Sequence, residues 1–236
     1  MIHLLLTLLL GPLLLLQGKW TRWTTPVLPE PPGPRHGQRG EGPVLRLLLL
    51  GDSAAAGVGA SHQDEALLGQ VLAHLARHRR VHYALDAVTG ATTADTLARL
   101  SARPDGSFDV VATSLGVNDL TRSVGLRTWV QQQRALRQVA RERFGVTRFI
   151  ACGLPPVAGF FALPQPLRWY LGRRAVEFSR ALEASVAAEP DVVYLHLDVD
   201  RSPENLATDG FHPGPVGYAA WGEALARVIA DERGGP

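Results

Sequence analysis

The sequence predicts one α/β domain in which a parallel β-sheet lies between two layers of helices, a three-layer αβα sandwich. Short, continuous apolar runs are typical of strands that are buried on both faces of a parallel sheet. These runs alternate with longer segments in which apolar residues recur at helical spacing. The 236 residues, 46% of them hydrophobic and 19% charged, suffice for the core of one such domain.

Five strands are predicted, each a mostly apolar run that ends at a turn. They span residues 44–50, 81–88, 109–115, 146–152 and 192–197. The predicted helices span 65–80, 93–100 and 126–144, with two more around 171–182 and over 217–230. We expect a flavodoxin-like, five-stranded parallel sheet with strand order 2-1-3-4-5. In such a sheet, ligands bind at the carboxyl ends of the strands, near the switch point between the first and third strands.

The N-terminal residues 1–18 form a leucine-rich segment without acidic residues, lysine or arginine before Lys19. Its length fits a signal-peptide core or a short membrane anchor better than a full membrane span. Lys19 and Arg22 follow it beside Trp20 and Trp23, a combination typical of a membrane interface. We therefore predict an uncleaved membrane-associating segment; the alternative is a helix that packs on the domain's own surface. Membrane association or export is expected, with a cytoplasmic location as the alternative.

Residues 19–43 are rich in proline, glycine and arginine, which predicts an extended linker without a core of its own. The folded domain is expected to span residues 44–236. A formal net charge of +2 and the absence of a basic stripe argue against a nucleic-acid partner. Cys152 is the only cysteine, which excludes an intramolecular disulfide and a cysteine-based zinc site.

Polar groups follow four of the predicted strands. Ser53 follows the first strand, Gly90 the second, Asn118 the third, and the segment 209–212 the fifth. The first three groups are neighbours around the switch point if the strand order is 2-1-3-4-5. The connection from Leu197 to the fourth group is long enough to return from the far edge of the sheet.

These residue types predict nucleophilic catalysis. The Ser53 hydroxyl is a weak nucleophile until a base such as His212 removes its proton. Asp209 lies three residues before His212 and can orient the imidazole, with Asp198 and Asp200 as alternatives. The Ser53 and Gly90 N–H groups and the Asn118 amide could then stabilise the oxyanion.

The segments 51–53, 90, 116–119 and 209–212 resemble, in order, the four motif blocks of the SGNH (GDSL) hydrolase family. The resemblance covers residues 44 to about 230. It implies that Ser53 is the nucleophile, His212 the base and Asp209 its orienting acid, and that Ser53, Gly90 and Asn118 form the oxyanion hole. It also implies that neither a metal nor an organic cofactor is needed.

One feature departs from the family pattern. Many members carry an asparagine shortly before the glycine of the second block, where this chain has residues 86–89. A donor from Thr89 or Ala91 is therefore an alternative to Gly90. Within the family, the motif set looks most like that of bacterial lysophospholipase-like esterases.

We predict a serine esterase that hydrolyses short-chain or acyl-lipid carboxylic esters through an acyl-enzyme. The expected partners are a small-molecule or lipid ester and, through the N-terminus, a membrane; the sequence does not indicate an oligomeric state. A carbohydrate O-acetyl esterase is one alternative, and a non-catalytic, membrane-tethered binding module on the same fold is another. The apolar segment 160–163 is expected either to form an acyl pocket or contact lipid, or to cover the core under a long loop.

Overall fold

The structure, a computed structural model, describes residues 2–197 and 203–231 and confirms the predicted α/β fold. The strands of the described residues are β1 (His36–Arg39), β2 (Val44–Gly51), β3 (Arg80–Ala87), β4 (Val110–Ser114), β5 (Arg148–Cys152) and β6 (Val192–Leu195). The helices are α1 (Ile2–Thr24), α2 (Ser53–Ala56), α3 (Leu67–Leu75), α4 (Thr93–Ala102), α5 (Val117–Thr121), α6 (Leu126–Phe144), α7 (Leu167–Val186) and α8 (Pro215–Ala230). Two 3₁₀ turns lie at Val157–Gly159 and Pro203–Asn205.

The strands form one sheet in the order β1-β3-β2-β4-β5-β6. The five strands from β2 to β6 are parallel and have the predicted order 2-1-3-4-5. The predicted strand count was wrong by one, because β1 pairs antiparallel with β3 at the edge of the sheet. All four residues of β1 are exposed, so the strand has no apolar pattern that a sequence could reveal.

Successive residues of β2 pack into opposite layers of the sandwich. Leu48 and Leu50 belong to the core on one face of the sheet, and Leu47 and Leu49 to the core on the other. All four side chains are buried, which explains the uninterrupted apolar run. The first core contains residues of α4, α6 and α7, and the second contains residues of α3 and α8.

The N-terminal region differs from the predicted division at Gly18. Helix α1 continues to Thr24, and its Leu14 side chain is buried against the core that α6 and α7 share. The Gln17 amide donates to the Gln165 carbonyl at 2.6 Å and accepts from the Leu167 N–H at 3.0 Å. None of the helices within the described residues combines the length and the apolar composition that crossing a bilayer requires.

The predicted linker 19–43 is also structured, since it contains the end of α1 and all of β1. Pro31 is buried, and the Pro32 carbonyl accepts a hydrogen bond from the Gln63 N–H at 2.9 Å. A segment rich in proline and glycine therefore packs against the loop that follows α2. Composition predicted its extended backbone but carried no information about these long-range contacts.

Candidate active site

Ser53 is the first residue of α2, directly after β2 at the carboxyl end of the strand. A Cβ on Gly51 would lie 2.3 Å from the Ala55 Cβ and 2.7 Å from the Ser114 carbonyl oxygen. Gly51 is therefore required by the close approach of α2 to the sheet. The Asp52 side chain caps the helix by accepting from the Ala54 N–H at 3.1 Å.

The structure brings Ser53, His212 and Asp209 together, as the sequence predicts. His212 Nε2 lies 2.7 Å from Ser53 Oγ, and His212 Nδ1 lies 2.6 Å from Asp209 Oδ2. The Asp209 side chain is almost wholly buried, whereas the ring of His212 is partly exposed. A hydroxyl, an imidazole and a carboxylate in this order can activate the hydroxyl oxygen as a nucleophile.

Asp209 holds both the backbone and the ring of this loop. Its Oδ1 accepts from the N–H groups of Phe211 at 2.9 Å and His212 at 3.0 Å, while Oδ2 faces the imidazole. Burial acts to raise the pKa of Asp209, but these hydrogen bonds outweigh it and leave the pKa below its ordinary value. The alternatives Asp198 and Asp200 lie outside the described residues.

The loop after β3 presents three backbone N–H groups as candidate oxyanion donors. Thr89 N–H donates to Glu30 at 2.9 Å, and Ala91 N–H donates to the Val88 carbonyl at 3.0 Å. Among the described residues, no acceptor is found for the N–H of Gly90. Gly90 has a φ of 80°, which favours glycine, and within the described chain a Cβ there would meet only the Arg122 guanidinium, at 3.7 Å. The geometry therefore favours Gly90 over its two neighbours.

The Asn118 side chain lies between the Gly90 loop and Ser53. Its Nδ2 donates to the Ala91 carbonyl at 3.1 Å and to Asp52 Oδ2 at 3.3 Å. Both amide hydrogens therefore have protein acceptors, and the predicted oxyanion contact requires that one of these bonds be exchanged. Asn118 lies in the first turn of α5, which begins at Val117 and has Gly116 as its N-cap.

Two buried carboxyl groups that the motif analysis left without a role support the site. Asp52 precedes Ser53 and contacts Asn118; burial raises its pKa from 3.8 to about 6. Asp119 is fully buried and accepts from the N–H and the hydroxyl of Thr93, which ties α5 to the start of α4. Burial also raises the pKa of Asp119. The only feature of the sequence that pointed to a role for either acid was its position within a motif block, 51–53 or 116–119.

A largely apolar pocket adjoins Ser53 and His212. Apolar side chains from several loops and helices line it, among them Leu115, Val117, Phe160, Leu206, Phe211 and Trp221. The rings of Phe160 and Phe211 pack with their centroids 4.6 Å apart. Within the segment 160–163, Phe160 lines this pocket, whereas Leu163 is buried in the core and Phe161 is 56% exposed.

Residues 49–220 match the model of the GDSL-like Lipase/Acylhydrolase family. A GDSL-like esterase of Mycobacterium tuberculosis is 29% identical over an alignment of 218 positions, and the match covers 82% of this chain and 67% of that protein. A lipase from a goat rumen metagenome has a TM-score of 0.62 at 20% identity and covers 80% of this chain and 99% of its own. A carbohydrate esterase family 2 enzyme with a carbohydrate binding domain, from Corynascus thermopiles (Myceliophthora fergusii), has a TM-score of 0.62 at 16% identity. This match covers 86% of this chain and 68% of that one. These two structures show a shared fold.

The raised pKa of Asp52 predicts a specific pH dependence of stability. Because folding favours the protonated carboxyl, the stabilisation from this group is greatest at low pH and is lost as the pH rises through about 6. Between about pH 5 and pH 8 the loss should amount to about 1 to 2 kcal/mol. Asp52→Asn cannot ionise, so its stability should lack this component.

The measurement is the free energy of urea unfolding of wild type and Asp52→Asn at both pH values. All other titrating groups are common to the two proteins, so their difference isolates Asp52. We expect the stability of Asp52→Asn relative to wild type to improve as the pH rises. The same pH dependence in both proteins would contradict the raised pKa.

Proposed function

The chain belongs to the GDSL-like lipase/acylhydrolase family, and from this premise we propose that it is a serine esterase that hydrolyses carboxylic esters through an acyl-enzyme. One observation carries the proposal: Ser53 Oγ lies 2.7 Å from His212 Nε2, and the opposite ring nitrogen lies 2.6 Å from Asp209. A hydrogen-bonded base beside a hydroxyl, oriented in turn by a carboxylate, is the arrangement that serine nucleophiles require.

In the proposed reaction, Ser53 Oγ attacks the ester carbonyl carbon while His212 Nε2 takes the hydroxyl proton. The tetrahedral intermediate expels the alcohol, which receives that proton from His212, and an acyl ester of Ser53 remains. Water then attacks the acyl carbon and gives a proton to His212. Collapse of the second intermediate releases the carboxylic acid and returns the proton to Ser53.

Three donors are proposed to stabilise the charge on the carbonyl oxygen. The Ser53 and Gly90 N–H groups have no acceptor among the described residues, which leaves both available to an oxyanion. The Asn118 amide joins them by exchanging one of its bonds to Asp52 and Ala91. A donor of this kind is typically worth about 10²- to 10³-fold in kcat.

The pocket supports an apolar acyl group as the part of the substrate next to Ser53. Its lining includes Phe160, Phe211 and Trp221, whereas an acetyl group would need little of this surface. We therefore propose esters with an acyl chain longer than acetyl, in preference to the carbohydrate O-acetyl esters considered from the sequence. A non-catalytic binding module would leave the hydrogen-bonded Ser53 and His212 pair without a role.

Replacing the nucleophile should abolish ester hydrolysis. We expect Ser53→Ala to lower kcat for p-nitrophenyl butyrate by about 10⁴-fold or more, because the substitution removes the hydroxyl that His212 activates. The measurement is steady-state release of p-nitrophenol. Ser61→Ala is the matched control, since the Ser61 hydroxyl lies outside the pocket and bonds to Glu65 at 2.6 Å. Equal activity of wild type and Ser53→Ala would refute the proposed role of Ser53.

A series of p-nitrophenyl esters of increasing acyl length tests the substrate class. Each methylene that enters the apolar pocket should raise kcat/KM by about 4-fold, beginning with the step beyond acetyl. An enzyme specific for acetyl esters would instead show its highest kcat/KM on the acetate.

Two adjacent phenylalanines give a matched pair for this test. Phe160→Ala should flatten the dependence of kcat/KM on chain length, because Phe160 lines the pocket. Phe161→Ala should leave the dependence of kcat/KM on chain length, measured with soluble esters, as it is in wild type, because Phe161 is exposed outside the pocket lining. Equal effects of the two substitutions would contradict the assignment of this pocket to the acyl chain.

A further inference from the structure

Helix α1 presents two different faces in the described residues from Leu10 onward. One face packs toward the domain, and its residues recur at helical spacing; they are Leu10, Leu14, Gln17 and Thr21. A second face is exposed although it is apolar, and it consists of Leu13, Leu16, Trp20 and Trp23. The spacing of three, four and three residues places these four side chains in one stripe. We call this stripe the outer face of α1.

The outer face is larger and more exposed than single apolar residues on a protein surface usually are. Trp23 is 85% exposed, Leu16 66% and Trp20 53%. The intervening position Leu15 is also exposed, so the apolar surface extends beyond the stripe. Packing of α1 on the domain therefore does not account for the apolar character of this helix, because a different face makes that contact.

Charge identifies the kind of surface that would cover the outer face. Lys19 and Arg22 are both exposed on α1, and the chain has no acidic residue before Glu30. Basic residues that border tryptophans and leucines fit the anionic headgroups and the acyl boundary of a bilayer. A second copy of this chain fits less well, since a two-fold contact would bring these basic residues toward their own copies.

The helix adjoins the segment that leads into the pocket. Gln17 holds both the Gln165 carbonyl and the N–H of Leu167, at the end of the segment that begins after β5. Pro155, Pro156 and Phe160 of the same segment line the pocket beside Ser53. The packed face of α1 therefore contacts the element that carries one wall of the pocket, and a surface on the outer face would lie one helix diameter, about 10 Å, from that element.

We propose that the outer face of α1 docks on an anionic lipid bilayer, with the helix lying in the plane of the interface. Trp20 and Trp23 then insert at the headgroup level, and Lys19 and Arg22 contact the lipid phosphates. The proposal goes beyond the esterase activity, since docking requires no chemistry at Ser53. Its consequence for that activity is that ester lipids in the bilayer are held near the pocket.

Co-sedimentation of the full chain with vesicles tests the docking. We expect binding to vesicles of phosphatidylcholine mixed with phosphatidylglycerol, weaker binding to phosphatidylcholine alone, and weaker binding at high salt. The double substitution Trp20→Ser/Trp23→Ser should weaken binding to the mixed vesicles by at least about 10-fold. Lys19→Gln and Arg22→Gln should each weaken it by about 5-fold, and only when the vesicles are anionic.

Val44→Ser is the control, because Val44 is an apolar residue that is 44% exposed outside α1, at the amino end of the central strand β2. It should bind vesicles as wild type does, and thermal unfolding of each variant checks that the fold is retained. Failure of wild type to bind mixed vesicles, or unchanged binding after both tryptophans are replaced, would overturn the proposal. So would light scattering that shows a dimer which the double substitution converts to a monomer. Turnover of soluble p-nitrophenyl butyrate, measured in parallel, tests the esterase proposal separately.

Discussion

The active site depends on one chain of hydrogen bonds, from Asp209 through His212 to Ser53. It joins groups 159 residues apart, at the carboxyl end of a central strand and in the loop before the last helix. Asp209 fixes both the loop and the ring of His212, because one carboxylate oxygen accepts from the loop backbone and the other faces the imidazole. Burial without these bonds would favour a neutral acid, which could not stabilise a charged imidazole.

The rest of the site is positioned by contacts that lie outside the motif residues. Glu30 accepts from the N–H and the hydroxyl of Thr89, and Arg122 donates to the Gly90 carbonyl at 2.8 Å. Together they fix the loop that presents the Gly90 N–H. Burial acts to raise the pKa of Glu30, but its hydrogen bonds with Thr89 and Arg35 outweigh this and lower it. The N-terminal segment therefore contributes to the active site as well as to the edge of the sheet.

The sequence predicted those parts of the molecule that repeat a strong physical pattern. Buried parallel strands appear in the sequence as continuous apolar runs. Their carboxyl ends meet at one edge of the sheet, where Ser53 and His212 come together. It did not predict β1, whose residues are all exposed, or the folded course of residues 19–43. Nor did it predict that Asp52 and Ala91 accept both amide hydrogens of Asn118, because such contacts depend on side-chain directions that only the folded chain defines.

The central claim is that the Ser53 oxygen is the activated nucleophile. Its most direct test is to treat the wild-type protein with a fluorophosphonate and locate the adduct by mass spectrometry of proteolytic peptides. The account predicts one adduct, on Ser53, with hydrolytic activity lost in proportion to labelling. Full activity in a protein that stays unmodified, or an adduct on another residue that accounts for the loss of activity, would contradict it.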